Sequence, residues 1–242
     1  MKSGSEHYRS HLAPIYLWAA GGFDVALKLA EAELDALLPE LPRGAQTVDL
    51  GCGFGAHAIA LVRRGCEVTA VDSSQTLLDE LRSRAPGPAL KVIEADLLEF
   101  AQRLEPGTHA VICMGDTLTH LPSLASVEQL LARAAGALAP RGRFVATFRD
   151  YTSARLEEDR FILVRSDADR LLSCFLEYAA EHVNVHDVLH EKHAGAWQMR
   201  VSAYRKLRLS PDRIGEALGA HGLVVNVDRA ASGMVRVVAT RN

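Results

Sequence analysis

The sequence predicts an α/β fold: a mostly parallel sheet closed by a terminal antiparallel hairpin, with an antiparallel sheet inserted before the hairpin. Strand-like and helix-like segments alternate from Thr47 to Phe148. Period-2 segments take over after Asp150, and a helix start at Ser210-Pro211 precedes two last strand-like runs. Alternation of the first kind argues for parallel strands covered by helices on both faces.

The first 42 residues read as helical. Leu27, Ala30, Leu34 and Leu38 recur at helical spacing, and Pro39 and Pro42 close the segment. Gly21-Gly22 separates it from an earlier aromatic piece holding Tyr8, Tyr16 and Trp18. Thr47 to Leu50 is a short strand, followed by a Gly-rich turn and the apolar helix Ala56 to Arg64. Glu67 to Val71 is the second strand, and Ser73 or Ser74 caps the helix carrying Leu77, Leu78 and Leu81. Leu90 to Ile93 is the third, with a short helix from Asp96. Ala110 to Met114 is the fourth, and Leu124, Val127, Leu131 and Leu138 mark the next helix. Gly142 turns the chain into the fifth strand, Arg143 to Phe148. Each crossover should be right-handed.

Further on, Trp197, Met199, Val201, Ala203, Leu207 and Leu209 fall on one strand face. Gln198, Arg200, Ser202, Tyr204, Lys206 and Arg208 fall on the other. His182, Asn184 and His186 alternate with Val183 and Val185. Such strands pack one face and wet the other. Ser210 then caps a helix with Pro211 at its first position, carrying Ile214 and Leu218 and ending at Gly222. Leu223 to Asp228 and Met234 to Thr240 form a hairpin around Ser232-Gly233. The expected organisation is a helical cap over 1–45, a core from 46–150 and 210–242, and an inserted antiparallel segment over 151–209.

With 27 basic and 30 acidic residues the formal net charge is −3, so no strongly basic face supplies affinity. Nucleic acid and anionic membrane are thereby excluded as dominant partners. A hydrophobic fraction of 48% supplies a core, and no run of about 18 apolar residues spans a bilayer. Cysteines at 52, 66, 113 and 174 lack metal or scaffold spacing, and Met1 to Ser10 is polar. Reduced thiols and a cytoplasmic location are expected.

The chemistry concentrates in Asp49-Leu50-Gly51-Cys52-Gly53-Phe54-Gly55-Ala56, between a strand and a helix, with Asp72 at the end of the next strand. Glycines let the backbone bend and a ligand approach closely, and an acid at that strand end can accept both hydroxyls of a ribose. The pattern also satisfies the permissive dinucleotide fingerprint. Against that reading, Asp49 would repel passing phosphates, whereas it suits a ligand presenting an ammonium. The antiparallel terminal hairpin is also foreign to a six-parallel-strand sheet.

These residues resemble the class I S-adenosylmethionine-dependent methyltransferases. Asp49 to Gly55 is similar to that family's first motif, Val68 to Asp72 to its second, and Ile93-Glu94-Ala95-Asp96-Leu97 to the adenine segment. The resemblance implies a Rossmann-like seven-stranded methyltransferase sheet and S-adenosyl-L-methionine as cofactor. It places Asp72 on the ribose, Asp96 on the adenine amino group, and Asp49, Gly51, Cys52, Gly53 and Gly55 under the methionine part. Ser73, Leu97 and Met114 complete the expected cofactor set.

Methyl transfer from a sulfonium is a direct displacement, which needs an aligned lone pair and excluded water. Ligands of open parallel sheets sit beyond the strands' carboxyl ends, so 115–120 and 148–151 should face the acceptor. Cys113 to Leu121 is similar to the same stretch of glycine and sarcosine N-methyltransferases, and Arg149-Asp150-Tyr151 resembles their Arg-Asn-Tyr. Both depart alike, with Asp116 and Asp150 replacing asparagine. His120 is the candidate base or acceptor contact, with helix capping as its other role. Arg149 is the candidate partner of an acceptor carboxylate, with a loop salt bridge as its other role, and Tyr151 lines the acceptor channel.

No metal is expected: His182 and His186 stand roughly 13 Å apart along a strand, and no ligand set completes His190 and His193. Tyr8, His11, Tyr16 and Trp18 are expected over the site as a lid. The inserted strands are assigned to acceptor recognition through Arg200 and Tyr204, with homodimer formation as the competing role. The reading is a small-molecule methyltransferase. Its rival is a non-catalytic protein that binds S-adenosylmethionine or S-adenosylhomocysteine as a sensor or partner subunit.

Overall fold

In the computed structural model, residues 11–242 are described, and Tyr8 of the expected lid lies outside them. The helices α1 (Ala13–Ala19) and α2 (Phe23–Leu37) part at Gly21 and Gly22, whose φ of +92° only glycine adopts freely. Strands and helices then alternate: β1 (Gln46–Leu50), α3 (Ala56–Arg63), β2 (Glu67–Asp72), α4 (Gln75–Arg84), β3 (Leu90–Glu94), α5 (Leu97–Ala101), β4 (Thr108–Cys113), α6 (Leu124–Ala137) and β5 (Leu138–Phe148). After a second group of strands, α7 (Pro211–Gly219) leads to β10 (Leu223–Arg229) and β11 (Val235–Arg241).

These strands form a seven-stranded sheet in the order β10-β11-β5-β4-β1-β2-β3. β3, β2, β1, β4 and β5 run parallel, while β11 lies antiparallel to β5 and β10 antiparallel to β11. Thr47 to Leu50 are all buried, the continuous burial of a strand covered on both faces. One cover is α2, α3 and α4, with Leu34, Leu61, Leu78 and Leu81 buried against the sheet. The other is α5, α6 and α7, with Leu130, Leu131 and Leu218 against Phe144 and Phe148. The chain leaves β1 toward β2 and β3, then returns to β4 on the other side. That reversal opens a crevice beyond the carboxyl ends of β1 and β4.

A second sheet of four antiparallel strands comprises β6 (Phe161–Ser166), β7 (Arg170–Tyr178), β8 (His182–His193) and β9 (Ala196–Leu207), in that order. Val183 and Val185 face inward with Leu176 and Tyr204 around Tyr151, as the β8 alternation predicts. For β9 the expectation is overturned. Ser202, Tyr204 and Lys206 are buried, whereas Trp197, Met199 and Val201 are exposed. Pairing decides this. Ala203 sits opposite His186 and Met199 opposite His190, so the apolar parity of β9 shares the outer face of the β8 histidines. Two smaller departures occur in β5. Leu138 starts the strand rather than ending the helix, and Gly142 lies inside it beside Arg141 at φ +63°.

The inner face is fastened to the main sheet by charge. Lys206 Nζ lies 2.5 Å from Asp116 Oδ2, both side chains nearly inaccessible. Asp116 Oδ1 accepts the Arg149 N–H at 2.8 Å, tying the loop after β4 to the end of β5. Burial alone would lower the Lys206 pKa, but the Asp116 carboxylate together with Tyr204 and Tyr151 outweighs it and holds the ammonium well above its ordinary range. Asp150 is paired too, with Arg229 of β10 at 2.5 Å. The two aspartates that replace asparagine therefore each have a cation. No helix among the described residues is long and apolar enough to cross a membrane.

Removing one partner of a buried pair strands the other charge, at a cost of about 3–5 kcal/mol. Lys206→Ala should lose that much stability in urea unfolding, while the double variant Asp116→Asn with Lys206→Met should recover most of it. A single-variant loss below about 1 kcal/mol would show that the pair does not hold the sheets together.

Candidate active site

A cavity of about 1130 Å³ fills the crevice. Its floor is the turn after β1. Gly51 and Gly55 both have positive φ, and a Cβ on either would collide with the protein itself, at Thr117 and Leu81 respectively. Gly53 differs: at φ +55° its Cβ would meet only Tyr16 Cε1 at 3.7 Å, facing the cavity. Two glycines therefore serve packing and the middle one leaves room for a ligand. Tyr16 packs on Phe54 with ring centroids 5.6 Å apart and lines the cavity.

Asp72 at the end of β2 steadies this turn. Its Oδ2 accepts the Gly53 N–H at 2.9 Å and its Oδ1 the Ser74 N–H at 2.8 Å. Each carboxylate oxygen retains a further lone pair for a ligand hydroxyl. Burial raises its pKa against those backbone bonds. Ser73 lies beside it on the wall. Asp96 caps α5 through Oδ1, which accepts from Leu98 N–H at 2.8 Å, and with Leu97 it lines the far end. Met114 and Cys52 close the floor, both buried and both lining the cavity. Burial pushes the Cys52 thiol well above its usual range.

Asp49 is the buried carboxylate of the cavity floor. It is 1% exposed, and its Oδ2 has no hydrogen-bond partner. Burial pushes its pKa up to about 7, against the opposing charge of His57 and a backbone bond from Ala58. A buried carboxylate with an unused oxygen at a cavity floor fits a ligand ammonium, and the open face of Gly53 fits the chain bearing it. The residues present therefore fit the methionine end of S-adenosylmethionine.

The opposite wall comes from elsewhere. His120, at the end of the 3₁₀ turn Thr117–His120, stacks on Tyr204 with centroids 5.4 Å apart and planes at 8°. His120, Lys206, His182, Glu181 and Arg205 line this end of the cavity. The structure thus brings His120 to the cavity together with nine of the ten expected cofactor residues, Gly55 packing on Leu81 instead, and does not bring Arg149 or Tyr151 there. The Arg149 side chain is exposed, and its backbone serves Asp116. Tyr151 is buried behind the wall, its ring centroid 6.0 Å from Lys206 Nζ, and burial pushes its pKa to about 12. Of the expected lid, Tyr16 reaches the cavity and His11 is buried. Trp18 instead bonds Asp167 Oδ2 at 2.6 Å, against the second sheet. Arg200 pairs with Glu191 at 2.5 Å, away from the cavity. Among the described residues no three His, Cys, Asp or Glu cluster for a metal.

Sequence reasoning misses Lys206, His182, Glu181 and Arg205. The usable signal was Asp116: a carboxylate in place of an amide, in a buried loop, calls for a cation from another segment.

Two outcomes test the floor. Gly53→Val should fold and lose S-adenosylmethionine binding by calorimetry, whereas Gly55→Val should lower the melting temperature because Leu81 has nowhere to go; equal binding by Gly53→Val and the native protein would sink this assignment. A ligand ammonium favours ionised Asp49 and lowers its pKa from about 7. Binding at pH 7 should then release a fraction of a proton, and affinity should rise from pH 6 to pH 8. Calorimetry in buffers of different ionisation enthalpy reads this, and proton uptake would contradict it.

Comparison with known proteins agrees with this geometry. Residues 47–142 match the family model described as a methyltransferase domain. Glycine/sarcosine N-methyltransferase of Halorhodospira halochloris is 29% identical over 126 residues, covering 50% of this chain and 47% of the relative. Human glycine N-methyltransferase is 38% identical over 105 residues, 38% of this chain and 36% of the relative. The chain thus matches less than half the length of these relatives. The solved structure of CalS10, an amino pentose methyltransferase from Micromonospora echinaspora with S-adenosylmethionine bound, superposes with a TM-score of 0.75. It is 20% identical and covers 96% of this chain and 97% of that one, a likeness of fold. With the glycine turn, the acid at the end of β2 and the reversed strand order all present, the chain carries a methyltransferase domain over residues 47–142 and is similar to the class I S-adenosylmethionine-dependent methyltransferases.

Proposed function

We propose that this protein transfers the methyl group of S-adenosylmethionine to an amine of a small molecule. The observation that carries the reading is the continuity of the cavity, from the Asp49 and Asp72 carboxylates at one end to His120 and Lys206 at the other. Its volume exceeds the roughly 300–1,000 Å³ of a single small-ligand site, so a cofactor and an acceptor can share it. The relatives named for glycine and sarcosine, and the neighbour named for an amino pentose, support an amine acceptor.

Bound there, S-adenosylmethionine supplies an electrophilic methyl on a cationic sulfur. The chain's own residues do the rest. Asp49 holds an ammonium, Asp72 takes the ribose hydroxyls, and Asp96 with Leu97 frames the adenine. Ser73 and Met114 shape the walls, and Gly51, Cys52, Gly53 and Gly55 form the cradle. At the acceptor end His120 accepts the proton that an amine must lose for its lone pair to attack. Tyr204, stacked on the imidazole, fixes its plane. Arg149 and Tyr151 act as positioning residues through Asp116 and Lys206. The described part of the helical cap (11–45) covers the cofactor end through Tyr16 and Ala26, and the inserted segment (151–209) walls the acceptor end.

The test is turnover of methyl-labelled cofactor against a pooled small-metabolite extract, with mass spectrometry of the methylated product. His120→Ala should lower kcat about 10²–10⁴-fold and leave cofactor affinity within about twofold. Tight cofactor binding with no methylated product from any pool would favour the non-catalytic reading instead.

A further inference from the structure

The two ends of the cavity differ in charge and in polarity. Asp49, Asp72 and Asp96 line the cofactor end. The acceptor end carries a ledge of half-buried leucines: Leu121 and Leu124, where the chain enters α6, and Leu207, which ends β9. All three pack against the core beneath α6. Arg205, Lys206 and Leu207 each line the cavity, although successive strand residues point to opposite faces. The cavity therefore meets β9 end-on and wraps around its last residues. Of the two cations there, Lys206 is neutralised by Asp116. Arg205 is exposed and makes no ion pair with any described residue, Glu181 on the same rim included.

We propose that the acceptor is an elongated amine with an apolar body and an anionic far end, a carboxylate or a phosphate. Its amine meets His120, its body lies on the leucine ledge, and its anion reaches Arg205. This rests on the amine-methyltransferase reading and names the substrate class of that site. Space argues for length. One small-ligand site takes roughly 300–1,000 Å³, so with S-adenosylmethionine bound, on the order of 500 Å³ of the cavity is left, several times what glycine fills. Direction argues for separation. Tyr204 carries its ring inward onto His120, with centroids 5.4 Å apart. Arg205, the next residue, leaves the strand on the other side, which sets its guanidinium on the order of 10 Å from the imidazole. An α-amino acid, whose amine and carboxylate share one carbon, is too short to touch both. Chemistry argues for the two remaining features. A guanidinium fork suits carboxylate and phosphate alike, and an apolar body removes the leucine ledge from water.

Calorimetry on the protein saturated with S-adenosylhomocysteine tests this with four probes: glycine, octylamine, ω-aminooctanoate and ω-aminooctylphosphonate. At least one of the two anionic chains should bind about tenfold tighter than octylamine, the scale of a charge-assisted hydrogen bond, and tighter still than glycine. Whichever binds more tightly identifies the anion. Arg205→Gln should bring the anionic chains to the affinity of octylamine and leave S-adenosylhomocysteine affinity within about twofold. Leu124→Ser should weaken octylamine and the anionic chains alike, so each variant reads its own half of the site if the other misfolds. Glycine binding as tightly as both anionic chains would overturn the proposal. So would an Arg205→Gln variant that weakens octylamine as much as the anionic chains, or leaves all of them unchanged. Failure of the native protein to bind S-adenosylhomocysteine would instead strike the methyltransferase reading.

Discussion

The buried contact between Lys206 and Asp116 is the constraint on which the acceptor half of the molecule depends. Asp116 sits at φ +78°, a left-handed conformation that aspartate and asparagine tolerate better than most residues. Either side chain could therefore hold this turn, and with its carbonyl oxygen either could take the Arg149 N–H. Only the carboxylate neutralises an ammonium arriving from another sheet. One substitution relative to the resembling N-methyltransferase motif thus fits the identity of a residue 90 positions later. The pair also fixes which parity of β9 points inward, since Lys206 cannot reach Asp116 from the outer face. Tyr204, two residues earlier, is carried inward with it and meets His120.

The cofactor end rests on a different balance. Its turn is positioned by backbone bonds to Asp72, and two of its three glycines are demanded by Thr117 and Leu81 rather than by any ligand. That preorganisation leaves Asp49 at the bottom of the crevice, without enough donors to satisfy it. A buried acceptor left unsatisfied costs free energy in the empty protein. A ligand ammonium offsets that cost, so part of the binding energy is stored in the fold.

Much of this was legible in the sequence because it is local. Alternating strand and helix grammar, proline at the start of α7 and glycine after β1 each act within a few residues, and the sheet follows from them. The cavity-lining residues around the glycine turn were legible for the same reason: strand ends deliver them at fixed chain positions. Arg149 and Tyr151 were drawn to the acceptor by their place after β5, and β5 does deliver them to that end. The Arg149 backbone is taken by Asp116 and the Tyr151 ring packs beside Lys206, contacts that no local pattern reveals. The β9 inversion escaped likewise. Period-2 alternation says that two faces differ, and hydrophobicity usually says which is inside. Here the inside was decided by an ion pair and an aromatic stack.

The inversion has a consequence for how this fold can vary its acceptor. The parallel sheet and its glycine turn face the cavity and are constrained from below by Leu81 and Thr117. The wall opposite is built by β8 and β9, whose pairing keeps their backbones fixed while alternate side chains face the buried side, with Tyr204 and Lys206, or the apolar outer side, with Met199 and Val201. Changing an inward residue such as Tyr204 alters the acceptor wall, and leaves the outer rows unchanged because alternate residues never share a face. Shifting the register by one would exchange the two faces at once, removing Lys206 from Asp116 and exposing the pair's charge to an apolar surface. Register is therefore held by the ion pair on one side and by hydrophobic surface on the other. The acceptor wall can diverge one residue at a time within it.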